Sequence, residues 1–388
     1  MNARIKVCNV DEEGRFGGPE RRIVQVSKAL PDHGVDTHVL YPSMDSEEFA
    51  RHLRGAEIAC TALDITRLTK QKSMLLRYAL RFPLEVWRMA AFFKRSGFEL
   101  VHVNGSYQFK VALAGKLAGL PVVWHLNDTM MDGAVKRAFA IVAKYCSTAF
   151  IVAGQRVYDY YLRNTKLEGL PWLEVHAPVD TGVFMPADDD DARGDGLTVA
   201  TVSGINPTKG VEFFVEMAAR LRGSATSLSF EVAGAELDSH SAYSAEIQKL
   251  VRERSLIDDI RFFGLVNDVP AFLRRADICV FSSISEASPT SIWEAMAMGK
   301  PLVTTDVGSV NQYVEDGVSG YIVPVRDVDG LSDRVGRLLN DPSLRKRMGA
   351  AAREVAVAKL GVDAAAMKHA EIYRRALAAV GTNDQLAE

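Results

Sequence analysis

Short apolar runs alternate with helical patterns along almost the whole chain, and this alternation limits the possible folds more than any other feature. The runs are rich in valine and isoleucine and are mostly uninterrupted by polar residues. The predicted strands are Ile5–Val10, Thr37–Leu40, Leu100–Val103, Val122–Leu126, Ala149–Val152, Leu197–Val202, Leu228–Ala233, Ile260–Phe263, Ile278–Phe281, Pro301–Thr304 and Tyr321–Val323. Strands of this kind are covered by helices on both faces, which is typical of parallel sheets in α/β proteins. The sequence therefore predicts doubly wound parallel sheets, with ligand sites at the carboxyl ends of the strands.

One acidic segment interrupts the alternation and predicts a division into two domains. The segment, PADDDDARGDG over 186–196, has no apolar period and reads as a linker or surface loop. A length of 388 residues agrees with two domains. We expect two Rossmann-like domains facing across a cleft, over 1–185 and 197–360, followed by a C-terminal helix over 361–388 that can pack back on the first domain.

Charge and cysteine content exclude several classes of function. The net charge is −3, so no overall basic excess predicts a nucleic-acid partner. The total hides an asymmetry, because residues 1–180 hold 24 Lys/Arg against 19 Asp/Glu and the rest hold 22 against 30. The four cysteines are scattered without a C-x-x-C pair, which favours reduced thiols. With neither a signal-peptide pattern nor an apolar run of ~18–20 residues, we expect a cytoplasmic protein.

Two segments of the first domain are candidates for binding. GRFGGPE, with Gly17 and Gly18, lies between the first strand and the first helix. Glycines there let backbone approach a ligand, and a helix N-terminus favours an anion. The segment lacks the G-x-G-x-x-G dinucleotide pattern, so a phosphate-facing loop and a simple tight turn both remain open. His125 lies next to the last residue of the predicted strand Val122–Leu126. Binding residues collect at the carboxyl ends of such strands, although a lone histidine is more often structural.

Two segments of the second domain carry a stronger signal. Lys209, in NPTKG, follows the first strand and is suited to a phosphate, although it can also be a solvated side chain. EASPTSIWE follows a later strand and enters a helix. Pro289 fits the first turn of that helix, which leaves the amides of Thr290 and Ser291 available to a phosphate. Glu286 and Glu294 can accept hydrogen bonds from sugar hydroxyls, although helix capping also explains Glu286.

These segments together resemble retaining glycosyltransferase family 4. The similarity rests first on Glu286 and Glu294, which have seven residues between them and are followed by AMAMGKP and DGVSGYIV. It rests also on GGPE, on PTKG, and on APVD before Phe184. The motifs occur in the family's order and cover residues 3–360. The resemblance implies the B-type glycosyltransferase fold, which is two Rossmann-like domains that bind a nucleotide-sugar.

The resemblance also implies roles for individual residues. Glu294 would bind the donor ribose, Glu286 the donor sugar, and Lys209 the diphosphate. His125 would lie near the transferred sugar. The resemblance implies no cofactor and no metal, with the nucleotide-diphosphate-sugar as co-substrate and the leaving phosphate taking the acceptor proton. Backbone and side-chain contacts to the donor would come from these residues: Gly17, Gly18, Ser288, Pro289, Thr290 and Ser291.

Two departures from the family pattern bear on the donor. The family commonly reads V-G-R-L before the lysine motif, whereas this chain has Gly204 in place of the arginine. Lys209 alone, Arg15 or another basic group would then carry the charge. Ser288 replaces a common aromatic residue. Donor specificity therefore cannot be transferred from other members.

The segment 67–95 explains the basic first half, because it holds eight Lys/Arg and the single acid Glu85. Five of its cations are spaced by four or seven residues and would form one stripe on a helix. These are Lys70, Arg77, Arg81, Arg88 and Arg95. Such a helix can lie on an anionic membrane or can be an ordinary surface helix. The proposed membrane-facing arginines are Arg77, Arg81, Arg88 and Arg95.

The sequence thus predicts a retaining, metal-independent hexosyltransferase that acts on a glycan or lipid-linked glycan in cell-surface, lipopolysaccharide or exported polysaccharide biosynthesis. Acceptor contacts are expected from the segments Tyr41–Arg67 and Gly105–Lys110. A nucleotide-sugar hydrolase or epimerase of the same fold and a non-catalytic sugar-nucleotide-binding protein are the alternatives. We expect a cytoplasmic location, peripheral on the inner face of the membrane.

Overall fold

A computed structural model describes residues 4–68, 72–186, 196–224, 227–236, 240–286 and 288–385. The chain forms two compact units. The first contains the residues up to Pro178 together with those from Val362 onward, and the second runs from Val179 to Gly361. Residues 187–195 of the predicted linker lie outside the described residues.

The first unit is built on a seven-stranded parallel sheet in the order β3-β2-β1-β4-β5-β6-β7. The strands are β1 Ile5–Val10, β2 Val35–Pro42, β3 Ala59–Leu63, β4 Leu100–Asn104, β5 Val122–Leu126, β6 Ala149–Val152 and β7 Trp172–Glu174. The helices are α1 Gly18–Ala29, α2 Glu47–Gly55, α3 Lys72–Ser96, α4 Phe109–Ala118, α5 Gly133–Cys146 and α6 Gln155–Tyr161, joined by the C-terminal α14 Val362–Gln385.

The second unit is built on a six-stranded parallel sheet in the order β10-β9-β8-β11-β12-β13. The strands are β8 Leu197–Val202, β9 Leu228–Ala233, β10 Ile260–Gly264, β11 Ile278–Phe281, β12 Leu302–Thr305 and β13 Tyr321–Val323. The helices are α7 Val211–Leu221, α8 Ser241–Glu253, α9 Val269–Arg275, α10 Thr290–Ala297, α11 Val310–Tyr313, α12 Val328–Asn340 and α13 Pro342–Val355.

The two parallel sheets confirm the predicted doubly wound α/β class. Strand order reverses direction between β1 and β4 in the first sheet and between β8 and β11 in the second. Ligands of such sheets bind outside the carboxyl ends of the strands at this reversal. The candidate loops after β1, β8 and β11 therefore lie where the fold favours a site.

The chain enters the second unit before residue 185, the predicted end of the first domain. The amide of Val179 donates to the carbonyl of Leu360 at 2.9 Å, and Phe184 packs into the core of the second unit. Arg353 donates to the carbonyls of Thr181 and Phe184 at 3.0 and 2.6 Å. Backbone and core contacts thus tie residues 179–184 to the second unit, although their composition gives no sign of it.

The C-terminal helix α14 is part of the first unit. Its buried face, which includes Ala366, Ile372 and Tyr373, packs on strand residues such as Val123 and Ile151. At its start, Asp363 pairs with His33 at 2.8 Å between carboxylate and ring nitrogen. In the described part of the chain, no helix is both long and apolar enough to cross a membrane.

Candidate functional site

The loops that follow β8 and β11 bring Lys209 and Glu286 together. Lys209 Nζ forms an ion pair with Glu286 Oε1, and the hydroxyl of Ser283 donates to the same oxygen at 2.9 Å. Both charged side chains are partly exposed, at 27% and 14%. Together with Ser203 and Pro289 they line a pocket at the carboxyl edge of the second sheet. Two predicted site residues far apart in sequence thus share one pocket.

Gly210 fixes the lysine loop against the β11 loop. Its φ of +59° lies in the left-handed region, and a Cβ there would be 2.3 Å from the carbonyl oxygen of Ser282. The hydroxyl of Ser282 donates to the carbonyl of Gly210 at 2.7 Å. The amide of Ile284 donates to the carbonyl of Thr208 at 2.7 Å. These contacts hold Lys209 beside Glu286, and a residue with a side chain at position 210 would disturb them.

Helix α10 begins one residue later than the sequence suggested. Pro289 is the N-cap, with φ −79° and ψ 88°, instead of a residue of the first turn. The amide of Ile292 donates to the Pro289 carbonyl at 3.1 Å. Among the described residues, the amides of Thr290 and Ser291 have no hydrogen-bond partner. Donors of this kind at a helix N-terminus can bind a phosphate oxygen, and the use of these two amides by the donor stays a prediction.

Ser288 and Glu294 lie on either side of this helix start. The hydroxyl of Ser288 accepts from Trp293 Nε1 at 3.3 Å, and the Trp293 ring is fully buried. Ser288 thus serves helix packing, and Glu294 lies one turn into α10, half-buried.

Gly204 stands where the family commonly has an arginine. A Cβ at this position would lie 3.6 Å from the side-chain amide nitrogen of Asn206, which is an ordinary contact. Crowding around a Cβ at position 204 therefore does not explain why this chain lacks the arginine there.

The glycine loop of the first unit is shaped by Gly14 more than by Gly17 or Gly18. Gly14 has φ +71°, and a Cβ there would lie 2.2 Å from the Ser46 hydroxyl, whereas nothing lies within 4 Å of a Cβ at Gly18. The carboxylate of Glu20 accepts from the Gly17 amide, as in a capping box. Burial and Asp11 raise the pKa of Glu20 to about 7. Helix capping thus explains the G-G-x-E spacing, and phosphate binding by Gly17 and Gly18 stays a prediction.

His125 is completely buried in β5 instead of being presented at the surface of its unit. Its Nε2 is 2.9 Å from the guanidinium Nη1 of Arg22. A guanidinium can only donate, so Nε2 accepts and the ring proton lies on Nδ1. Burial and the Arg22 charge lower the pKa of His125 well below its usual value, and the imidazole is neutral. Its predicted position near the transferred sugar stays a prediction, and the geometry favours a structural role.

His102, His125 and His369 form a buried cluster whose ring nitrogens lie within 4.8 Å of one another. A metal there would need the lone pair of each ring. The Arg22 guanidinium donates to the Nε2 lone pair of His125, so that nitrogen cannot bind a metal. If Nδ1 bound the metal instead, Nε2 would carry the ring proton, and two donors would then face each other. A buried guanidinium also repels a cation. These residues therefore do not fit a metal, and they join the sheet to α14 through the 2.8 Å contact of His102 with Tyr373.

Arg22 is a residue that the sequence analysis missed. Its second nitrogen donates to Asn104 Oδ1 at 2.9 Å, and burial lowers its pKa to about 10. Asp11 follows β1 and accepts from the Gly14 amide and from Gln108 Nε2, at 2.9 and 3.0 Å. The sequence could have indicated these polar residues, because Asp11 and Asn104 stand at the carboxyl ends of β1 and β4, where the strand order reverses.

Helix α3 carries the basic segment, and its arginines differ in their surroundings. Arg81 turns toward the protein, where it pairs with Asp64 at 2.5 Å and with the buried Glu85 at 3.0 Å. It is therefore not part of a free cationic stripe, which corrects the expectation for this residue. Arg77, Arg88 and Arg95 are exposed. Lys70 of the same predicted stripe lies outside the described residues.

Comparisons with known proteins match both units. A family model described as Glycosyltransferase Family 4 matches residues 16–181. A second model, described as Glycosyl transferases group 1, matches residues 188–355. The two matches together span most of the chain.

Individual relatives and solved structures agree with these models. The chain is 29% identical to alpha-D-kanosaminyltransferase of Streptomyces kanamyceticus, over 70% of this chain and 75% of that one. It is 20% identical to the UDP-Gal:alpha-D-GlcNAc-diphosphoundecaprenol alpha-1,3-galactosyltransferase of Escherichia coli, over 88% and 90%. A Rickettsia africae glycosyltransferase structure matches with TM-score 0.82, 18% identity and coverage of 97% and 99%. Anabaena HepE in complex with UDP and glucose matches with TM-score 0.80, 19% identity and coverage of 96% and 100%.

Proposed function

The chain belongs to the group 1 glycosyl transferases and is a glycosyltransferase, and from this premise we propose its donor, its stereochemistry and its acceptor. The donor is a nucleotide-diphosphate-sugar, transfer retains the anomeric configuration, and the acceptor is a lipid-linked glycan of bacterial surface polysaccharide biosynthesis. The E. coli relative, whose name specifies a diphosphoundecaprenol-linked acceptor, supports the acceptor class. The UDP and glucose of the Anabaena structure support the donor class.

The Lys209–Glu286 pair is the observation that carries the donor assignment. A diphosphate brings two negative charges or more to the pocket and competes with Glu286 for the Lys209 ammonium. Once released, Glu286 has two oxygens that accept hydrogen bonds from sugar hydroxyls. The amides of Thr290 and Ser291 then bind phosphate oxygens at the start of α10. One pocket thus supplies a cation and backbone donors for the diphosphate and a carboxylate for the sugar.

Bond cleavage at the anomeric carbon places developing charge on the departing diphosphate. Lys209 and the α10 amides are aimed at this charge, and stabilisation of this kind is commonly the largest catalytic contribution. The leaving phosphate takes the proton from the acceptor hydroxyl, which attacks from the same face, so the configuration is retained. This route assigns no protein side chain as a general base. It also assigns the positive charge to Lys209 instead of a metal.

The outer surface of α3 supports work at a membrane. Leu76, Leu80, Leu84 and Trp87 are spaced by four, four and three residues, so they form one apolar ridge on the helix. Their exposed fractions are 62%, 74%, 46% and 62%. Arg77 and Arg88 are eleven residues apart, or about three turns, and border this ridge. A ridge of this kind with flanking cations is typical of helices that lie in an anionic membrane interface.

Nucleotide release tests the proposed reaction. Purified protein is incubated with a panel of nucleotide-diphosphate-sugars, with and without vesicles that carry GlcNAc-diphosphoundecaprenol, and nucleoside diphosphate is measured. We expect release that depends on the acceptor, continues in EDTA and yields a product with the anomeric configuration of the donor. Release without acceptor would favour hydrolysis, and donor binding without release would favour a non-catalytic binding protein. Either of these results would overturn the proposal.

A further inference from the structure

Two neighbouring serines follow β11, and their hydroxyls have different partners in the Lys209–Glu286 pocket. The hydroxyl of Ser282 donates to the carbonyl of Gly210, in the lysine loop, at 2.7 Å. The hydroxyl of Ser283 donates to Glu286 Oε1 at 2.9 Å. Both serines line the pocket and are buried, with 4% and 6% of their surface exposed. One hydroxyl therefore holds the loop that carries the cation, and the other holds the carboxylate itself.

The contact between Ser283 and Glu286 is independent of the contacts that hold the backbone of this segment. Residues 283–286 lie outside any helix, so their spacing is not that of a helix capping box. The hydroxyl of Thr305, at the end of β12, donates to the Ser283 carbonyl at 2.6 Å and holds the backbone there. In the part of the chain that the structure describes, Glu286 is the only partner of the Ser283 hydroxyl. Removing this hydroxyl should therefore release the carboxylate and leave the loop in place.

Glu286 has two partners on one oxygen, and a diphosphate affects them differently. Lys209 and Ser283 both contact Oε1, and among the described residues Oε2 accepts from no donor. The lysine is a partly exposed cation, which a diphosphate attracts. Ser283 is neutral and buried beside the carboxylate, so its hydrogen bond remains when the ammonium leaves. The serine thus keeps the carboxylate in one orientation at the step in which its cationic partner is lost.

We propose that Ser283 is a positioning residue for the donor sugar: it holds the Glu286 carboxylate so that Oε2 accepts from a sugar hydroxyl after Lys209 has moved to the diphosphate. The inference rests on the proposed function and deepens it, because it names the group that orients the sugar-binding carboxylate. Ser283 acts through Glu286 and takes no part in proton transfer. A carboxylate that is already oriented does not have to be immobilised when the sugar binds, so the effect is confined to ligands that carry a sugar.

Calorimetric affinities of the full chain for UDP-glucose and for UDP test this role. We expect Ser283→Ala to weaken UDP-glucose binding by about three- to tenfold, the cost of immobilising one more side chain, and to leave UDP binding unchanged. Ser282→Ala is the matched control, because it removes the neighbouring hydroxyl from the lysine loop. It should weaken both ligands by the same factor, since both carry the diphosphate. In a Glu286→Ala background, Ser283→Ala should have no further effect on either ligand.

Three results with the variants would overturn the positioning role. They are wild-type affinity of Ser283→Ala for UDP-glucose, an equal loss of affinity for UDP and UDP-glucose, and additive effects of Ser283→Ala and Glu286→Ala. Retained UDP binding shows at the same time that Ser283→Ala is folded. Binding of neither ligand by the wild type would overturn the donor class and the inference together. That failure is read on the wild type and the others on the variants, so they are distinguishable.

Discussion

Replacing Gly210 with alanine tests whether the lysine loop is held in place as the geometry indicates. A left-handed φ costs a residue with a side chain about 1 kcal/mol. The new Cβ would lie 2.3 Å from the Ser282 carbonyl oxygen and must withdraw to an ordinary contact of 3.4 Å or more. A shift of that size breaks the 2.7 Å hydrogen bond from the Ser282 hydroxyl, which is buried, at a cost of about 1–3 kcal/mol. The sum is a destabilisation of about 2–4 kcal/mol.

Two other glycines of the second unit separate the contributions. Gly223 has φ +76° and nothing within 4 Å of a Cβ, so Gly223→Ala carries the backbone cost of about 1 kcal/mol alone. Gly204→Ala has neither cost and leaves stability nearly unchanged. For a unit of this size, each kcal/mol lowers the melting temperature by roughly 2–4 °C. Thermal unfolding should therefore rank the variants Gly204→Ala, Gly223→Ala and Gly210→Ala in order of increasing loss.

Nucleotide affinity is the second readout, because the shifted loop carries Lys209. We expect Gly210→Ala to weaken the binding of a nucleoside diphosphate by about tenfold, or 1.4 kcal/mol, and Gly223→Ala to leave it unchanged. Isothermal titration calorimetry measures both. Equal melting temperatures for Gly210→Ala and Gly223→Ala would refute this explanation. So would a lower melting temperature for Gly210→Ala together with wild-type affinity for nucleotide.

Three further predictions concern the site and the histidine cluster. Lys209→Ala should abolish turnover while the melting temperature changes little, since the side chain is partly exposed; measurable nucleotide release would contradict its assigned role. Glu294→Ala should weaken nucleotide binding in calorimetry, and unchanged affinity would exclude a ribose contact. Burial lowers the pKa of His369 to about 3, against about 6.5 in the unfolded chain, so the folded state binds fewer protons and this group destabilises the fold as pH falls below 6.5. Between pH 6.5 and 5.5, His369→Gln should lose about 1 kcal/mol less stability than wild type in urea unfolding, and equal losses would contradict the neutral cluster.

Buried carboxyl groups have the opposite effect on the pH dependence of stability from the buried histidines. For this reason the prediction compares His369→Gln with wild type. Burial raises the pKa of Glu12 and of Glu20 to about 7. Both groups hold a proton in the folded state at a pH where the unfolded chain has lost it. Their contribution therefore stabilises the fold as pH falls from about 7 to 4.5 and offsets the histidine effect. The pH dependence of the wild type alone reports only the difference.

Much of the fold was predictable because central parallel strands are buried on both faces. Such strands read as continuous apolar runs, and each predicted run of the second domain corresponds to an observed strand. The edge strands β3 and β7 were missed, since neither has a fully buried residue. Strand β3, with the sequence ACTAL, has only exposed and half-buried positions. Strand β7, with the sequence WLE, is only three residues long. At an edge, tertiary pairing decides strand formation more than composition does.

The candidate site was predictable where a motif and a strand end coincide. Lys209 and Glu286 share a pocket because both follow strands at the reversal of strand order, which the alternation of strands and helices already indicates. His125 was assigned from its position near a strand end, but its ring faces the buried side of the sheet, and sequence spacing does not report that direction. The role of Arg81 was misread because its partner Asp64 is 17 residues away and is brought close only by the fold.

Acceptor-dependent release of nucleoside diphosphate from a nucleotide-sugar, compared between wild type and Lys209→Ala, tests the central claim most directly. The account predicts release by the wild type only when the lipid-linked acceptor is present, and none by the variant. Release without acceptor, or equal release by both proteins, would contradict the claim that the Lys209–Glu286 pocket is the donor site of a sugar transferase.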